Sequence, residues 1–430
     1  LWPTPEVNTR RFEALAGSDV RYLSLPLRRD ARVSYQLSAD LPDLQQADRG
    51  TLRLALQAAA RPDPLSRTPW LNSRALPRAE QASLVQLGGA PAETWDQPRK
   101  DVPRGKVERL GYSSQALANQ RQLTLYTPPG YDPEGQRYPL LVLFDEDHYA
   151  RDVPTPTILD NLIAAGRIRP TLAVIVGNVD ASSRGRELPC NEAFADMLAH
   201  ELLPWLQQRY ALSEEPADRV LSGSSYGGLA SGCIAYRYPE RFGKVLSLSG
   251  SFWWGPDEQQ PQWLVRQFAA GERLPLTFFL SSGLLEEPEA DGILGSNRSL
   301  RAALQGKGYP LHYREFPGGH DYCSAVAVLA RIWKINDAVE MAPEDAQPIE
   351  YQRKLTRRGF GFTQARSSQT GGIASASQHP KYLQALAGRT SEYPTRRRLA
   401  QVARLSCAPN RHGTPGSSLR TYHHVLAEGH

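Results

Sequence analysis

The chain has 430 residues, 40% hydrophobic and 22% charged, values that assure one sizeable core and leave room for a second domain. No run of about 18 apolar residues occurs, which argues against a membrane-spanning helix. The net charge of +5 resides in the tail, where thirteen Lys and Arg stand against six Asp and Glu from Val339 onward. The body is therefore near neutral, and nucleic-acid binding has no compositional support.

Residues 1 to 105 read as short strand-like runs, DVRYLSLPLRR and RVSYQLSAD, followed by the Pro-rich stretches DPLSRTPWLNSRALPR and APAETWDQPRKDVPRG. A small β-rich domain with a tether is expected there. From 106 to 336 the texture changes. QRQLTLYTPPG alternates as a strand, and YPLLVLFDE is a continuous apolar run suited to a parallel strand buried on both faces. The helical stretch TILDNLIAAGRI, the strand TLAVIVGNV and the helix AFADMLAHELLPWLQQRY follow. Then come the strand DRVLSGSS, the helix GGLASGCIAYRYPERF, and the strands KVLSLSGSF, PLTFFLSSG and LHYREF, the last two flanking the helix SNRSLRAALQGKG. Strands alternating with helices predict a largely parallel sheet, an α/β fold. Residues 337 to 430 are rich in Arg, Ser, Gly and Gln without apolar period, and disorder is expected.

Gly223-Ser224-Ser225-Tyr226-Gly227 fits G-x-S-x-G between an apolar strand and a small-residue helix. That context suits a strained turn lifting the Ser225 hydroxyl above the sheet, at a helix N-terminus with free N–H groups. A Gly/Ser-rich turn without chemistry is the bland alternative, and Ser224 breaks the spacing. In this fold the order is Ser, acid, then His. Of the body's histidines, His148, His200, His312 and His320, only the last two follow Ser225. His312 alternates within a strand and reads as structural, whereas His320 lies in the glycine-rich loop PGGHDY and reads as the base. The orienting acid is expected in GLLEEPEAD, with Glu286 and Glu287 as candidates and Asp291 third. Solvated surface acids are the competing reading there. Oxyanion donors are expected from the N–H of Tyr226 and from the loop after YPLLVLFD, around Asp147.

These residues resemble the enterochelin (enterobactin) esterases, which cleave the trilactone of ferric catecholate siderophores. The resemblance covers most of residues 20 to 322 and includes GSSYGG, RGRELPCN, YPERFGKVLSLSGSFWW, GLLEEP and PGGHD, with DPLSRTPW and APAETWD in the N-terminal part. It implies an α/β-hydrolase fold preceded by a small, truncated β-sandwich domain. It implies hydrolysis of serine esters through an acyl-enzyme with no metal or organic cofactor, iron(III) entering only as part of the small-molecule substrate. Matching positions place Arg184 against the anionic catecholate and Trp253 and Trp254 as an aromatic wall. The residue types agree, since Arg offers planar donors to oxygen-rich anions and Trp stacks on catechol rings, although a surface Arg and core tryptophans are the bland readings.

Three departures stand out: Glu146 follows Asp145 where the family usually reads Asp-Gly, the N-terminal domain begins late, and the resemblance stops near Cys323. The tail then reads as an out-of-frame or decayed terminus, or as a basic extension. A general carboxylesterase of feruloyl or acetyl ester type, or an impaired siderophore-binding homologue, are the alternative functions. Four scattered cysteines (Cys190, Cys233, Cys323 and Cys407) lack the density of a disulfide scaffold, so a reducing, cytoplasmic setting is expected. The first residues are not a signal peptide and include no initiating Met, so a periplasmic location through an upstream segment is the alternative. Oligomeric state is left open.

Overall fold

The computed structural model describes residues 12–18, 20–38, 55–56, 58–66, 81–90, 95–289, 291–322, 399–407 and 423–429. The N-terminal part is built from β1 (Glu13–Ala14), β2 (Arg21–Leu27), β3 (Arg32–Tyr35), β4 (Leu37–Ser38), β5 (Ala60–Arg61) and β6 (Ser83–Gln86). β3 pairs antiparallel with β6 and β4 with β5. Leu27, Ala31, Val33, Val85 and Leu87 form a small apolar cluster of their own. Most of the expected tether lies outside the described residues.

The main sheet takes β7 (Lys106–Ser114), β8 (Asn119–Thr127), β9 (Leu140–Phe144), β10 (Leu172–Val176), β11 (Arg219–Ser224), β12 (Lys244–Leu248), β13 (Thr277–Gly283) and β14 (Leu311–Phe316). Their order is β14-β13-β12-β11-β9-β10-β8-β7. β8 runs antiparallel to β7 and β10, and the other pairs are parallel. This is the mostly parallel sheet of an α/β-hydrolase fold, with a β region before it.

All five residues of β9 and of β10 are buried. Alternation explains why both faces are apolar: Leu140, Val142 and Phe144 enter one core, while Leu141 and Leu143 enter the core on the opposite face. The helix Thr155–Ala164 covers the second face through Ile158, Leu159 and Leu162. The helices Tyr226–Arg237, Trp263–Ala270 and Ile293–Gly306 cover the first through Leu229, Leu264 and Leu300. The expected helix after residue 192 is interrupted by a π-helical turn, Met197–Leu202, just before Pro204. Pro204 cannot donate to the helical ladder, and a local widening is one way a helix accommodates that loss.

The tail carries β15 (Leu399–Cys407) and β16 (His423–Gly429), with β15 parallel to β2 and antiparallel to β16, completing a four-stranded sheet with β1. An open strand edge is paired through backbone groups, which side-chain periodicity does not reveal. The rest of residues 337–430 lies outside the description. Cys190 and Cys233, far apart in sequence, form a disulfide that ties the loop after residue 187 to the helix Tyr226–Arg237.

Leu143 is fully buried in β9. Its replacement by Ala removes contacts in a close-packed core and should destabilise the chain by about 2–5 kcal/mol, read as a lower urea midpoint at unchanged slope.

Candidate active site

The strand order reverses around β9, which lies between β11 and β10. Sites in open α/β sheets form where strand order reverses, beyond the carboxyl ends of the strands. The loops after β9, β11, β13 and β14 carry Asp145, Ser225, Glu286 and His320.

Ser225 has φ 58° and ψ −120° and sits between β11 and the helix that begins at Tyr226. Such a backbone is strained for a non-glycine residue. It is fixed from both sides: Ser225 N–H donates to Leu248 O at 3.0 Å, and Ser251 N–H donates to Ser225 O at 3.0 Å. The surrounding glycines are steric requirements. A Cβ on Gly223 would lie 2.7 Å from the Gly227 carbonyl carbon, and one on Gly228 would lie 2.4 Å from Ser247 Oγ. Because the helix starts at Tyr226, that N–H is among the first-turn donors left without a helical acceptor.

His320 Nδ1 lies 2.9 Å from Glu286 Oε1, and Glu286 Oε2 accepts from Gly283 N–H at 2.8 Å. A carboxylate accepts, so the contact suits the histidine tautomer that carries its proton on Nδ1. The Glu286 side chain is 1% exposed and that of His320 15%. Glu287 is half-buried and Asp291 exposed; of the three acidic candidates, Glu286 makes the contact. The two loops are zipped together, with Leu284 N–H donating to Phe316 O at 2.8 Å and Leu285 N–H to Gly318 O at 3.0 Å. Ser225 Oγ lies 3.2 Å from Ser251 Oγ. His312 stacks on Phe279 at 4.7 Å, and burial lowers its pKa, in keeping with a structural histidine.

Asp145 closes β9 in the left-handed region, φ 62°, and a single helical turn, Glu146–Tyr149, follows. The N–H of Asp147 lies in that first turn, and its side chain is exposed. Tyr149 Oη and Ser224 Oγ, 2.5 Å apart, tie this turn to the serine turn. Glu146 sends its carboxylate away, accepting from Thr124 Oγ1 at 2.6 Å and from Arg109 Nε at 2.9 Å.

The expected role of Arg184 is altered by its surroundings. Its Nε and Nη2 donate to the two oxygens of Asp145 at 2.7 and 2.8 Å, and its guanidinium lies 5.8 Å from the Tyr226 ring centre. Asn178 Nδ2 also donates to Asp145 Oδ1 at 2.8 Å. Burial pushes the Asp145 pKa up, but Arg184 and Asn178 outweigh it and hold the carboxyl below its usual value. Arg184 is itself set by the helix Ala181–Glu187, which opens with a reciprocal Asp180–Ser183 capping box and closes on a Glu187–Arg121 ion pair at 3.1 Å. Trp253 packs beside Tyr226, ring centres 6.1 Å apart, while Trp254 packs against the main core.

Sequence reasoning missed the Tyr149–Ser224 contact, Ser251, and a His148–Asp152 pair of 2.7 Å beneath Tyr322, whose ring stacks on His148 at 4.3 Å. The i,i+4 spacing of His148 and Asp152 was the one available signal. Among the described residues, no group of three or more His, Cys, Asp or Glu is placed to hold a metal ion, and no helix is long and apolar enough to cross a membrane.

Comparison with known proteins decides the family. The family described as "Putative esterase" matches residues 114–332, and "Enterochelin esterase, N-terminal" matches residues 4–96. The chain belongs to the enterochelin esterase family. It is a carboxylic ester hydrolase by that membership. It is 33% identical to the iron(III) enterobactin esterase of Dickeya dadantii, over 72% of this chain and 75% of that one. Among solved structures, the enterobactin esterase FES from Shigella flexneri in the presence of enterobactin shares 29% identity and a TM-score of 0.61, covering 71% of this chain and 78% of that one. Ferric enterobactin esterase from Salmonella typhimurium shares 26% identity and a TM-score of 0.63, covering 75% and 82%.

Breaking a buried ion pair by removing one partner typically costs about 3–5 kcal/mol, so Arg184→Met should destabilise the esterase by that order at pH 7. Because the folded Asp145 pKa is depressed, the pair's contribution is present above the ordinary Asp value and lost as pH falls through the folded one. The deficit measured by urea denaturation should therefore shrink on acidification. A variant with raised KM and unchanged stability would instead mark Arg184 as a substrate ligand.

Proposed function

We propose that this esterase hydrolyses the serine ester bonds of the trilactone in a ferric catecholate siderophore, releasing iron through an acyl-enzyme. The observation that carries this reading is the Glu286–His320 pair on loops beside the strained Ser225 turn, in a chain of this family. Ser225 Oγ attacks the ester carbonyl as His320 Nε2 takes its proton, and Glu286 holds the Nδ1–H tautomer and stabilises the imidazolium. The N–H groups of Tyr226 and Asp147 stabilise the developing oxyanion, where each donor is worth about 10²–10³-fold in rate. His320 then returns the proton to the leaving serine hydroxyl. Water repeats the sequence on the acyl-enzyme, with His320 again as base. Iron(III) enters as part of the substrate, and Trp253 offers an aromatic face beside Tyr226.

Incubation with ferric enterobactin followed by mass analysis of the products tests the proposal. Linear dihydroxybenzoylserine products that vanish in Ser225→Ala are expected, and Glu286→Gln should lower kcat by on the order of 10³–10⁴. Turnover of simple feruloyl or acetyl esters alone would replace it with a general carboxylesterase, and tight binding without turnover with an inactive binder.

For location, the Cys190–Cys233 bond favours an oxidising, periplasmic setting over the cytoplasmic one. Alkylation of the protein in intact cells should leave both thiols unlabelled; labelling of both would return it to the cytoplasm.

A further inference from the structure

His320 follows β14, which among the described residues is the outermost strand of the sheet, with β13 on one side and no sheet neighbour on the other. A base placed there has half the support of one at the end of a central strand. The missing support comes from the N-terminal region. Asp321, the residue after His320, uses Oδ2 to accept from Ser34 N–H at 3.0 Å and from Ser34 Oγ–H at 2.9 Å, across 287 residues of sequence. Three residues before His320, Pro317 O accepts from Arg32 N–H at 3.3 Å. β3 thus grips the histidine loop on both sides of the ring. The acid loop rests on the same unit, because Leu285, beside Glu286, packs against the cluster of Leu27, Ala31, Val33, Val85 and Leu87.

The grip is aimed at the ring rather than at the loop in general. Asp321 and Tyr322 are held from different sides, Asp321 by Ser34 and Tyr322 by its stack on His148 in the turn that follows Asp145. His320, the next residue back along the chain, has its remaining freedom taken up by Glu286. Ser34 is itself fixed, buried in β3 opposite Leu84 of β6.

We propose that Asp321 is a positioning residue, clamped by Ser34, through which the N-terminal domain sets the orientation of His320. The inference rests on the reading of Ser225, His320 and Glu286 as the catalytic triad. Docking of the N-terminal domain then becomes a condition for proton transfer at Ser225.

The test uses the full chain, with hydrolysis of p-nitrophenyl butyrate and the rate of fluorophosphonate labelling at Ser225 as readouts. Asp321→Ala should lower kcat and labelling by about 10- to 100-fold, the scale of a displaced reacting group, with KM changed less than about 2-fold. Ser34→Ala keeps the backbone donor and should cost less, about 3- to 10-fold, while Ser34→Thr keeps the hydroxyl and should restore most of the rate. The losses should disappear on a His320→Ala background, since a residue acting through the ring has nothing left to position. Unchanged kcat in Asp321→Ala, or a loss that persists in full on the His320→Ala background, would overturn the proposal. If Asp321→Ala does not fold, the Ser34 pair decides by the same criteria. Failure of the unmodified chain to label at Ser225 would instead remove the triad reading on which the inference rests.

Discussion

A serine held at φ 58° between a strand and a helix is the constraint around which this molecule is organised. The conformation costs on the order of 1–3 kcal/mol and persists only where neighbouring structure over-determines it. Here β12 and the segment just after it do so, Leu248 O accepting the Ser225 N–H and Ser251 donating its N–H to the Ser225 carbonyl. The close approach of the helix Tyr226–Arg237 to β12 follows from that locking, and it is why Gly228 faces Ser247 with no room for a side chain. Tyr226 opens a helix at the same place, because the turn that strains the serine is also the start of that helix. The strain at Ser225 and the helix start at Tyr226 are thus two consequences of one backbone geometry.

The turn after β9 has to meet this geometry from the neighbouring strand, and it does so with a buried charge. Asp145 is fully buried, a costly place for a carboxylate, and Arg184 is the compensation. The arginine arrives from a capped helix whose last residue is pinned by Arg121 and Asn119. The polar loop RGRELPCN therefore has an architectural task close to the chemistry. The disulfide at Cys190 extends that task by joining the loop to the helix that carries the serine turn. A planar, bidentate guanidinium suits this position better than lysine could, since both Asp145 oxygens are engaged at once.

What could be read from the sequence, and what could not, divides along the range of the interaction. The order of strands and helices from residue 106 was legible because burial on two faces imposes apolar runs such as LLVLF and LAVIV. Ser225, His320 and the acid loop stand out in the sequence because each is announced locally, by glycines and by position after a strand. Glu286 separates from Glu287 only when the loop is folded, as neighbouring residues look alike on paper. The pairs Arg184–Asp145 and Ser34–Asp321 join residues 39 and 287 positions apart, and no local pattern marks them. The reading of Arg184 as a ligand for substrate came from the resemblance, and the sequence gives no sign that its Nε and Nη2 also engage Asp145. The tail strands escaped for a related reason: their pairing to β2 uses backbone groups that every sequence possesses.

Glu146 shows how a departure from the family pattern is absorbed without disturbing the chemistry. A glycine after Asp145 leaves the oxyanion turn unencumbered, and a glutamate there raises the question of where a charged side chain goes. The left-handed conformation of Asp145 and the single helical turn behind it direct that side chain toward the antiparallel β7–β8 hairpin. There Thr124 and the exposed head of Arg109 receive the carboxylate, which is itself 3% exposed. The hairpin carries none of Asp145, Ser225, Glu286 and His320, so the Glu146 carboxylate is held by a part of the sheet remote from all four in sequence. Glu146 thereby links the turn to the hairpin, in addition to the Arg184–Asp145 pair one residue earlier. A turn whose N–H groups must hold still while charge develops beside them is braced by both contacts, and preorganised donors stabilise an oxyanion only to the extent that they need not move.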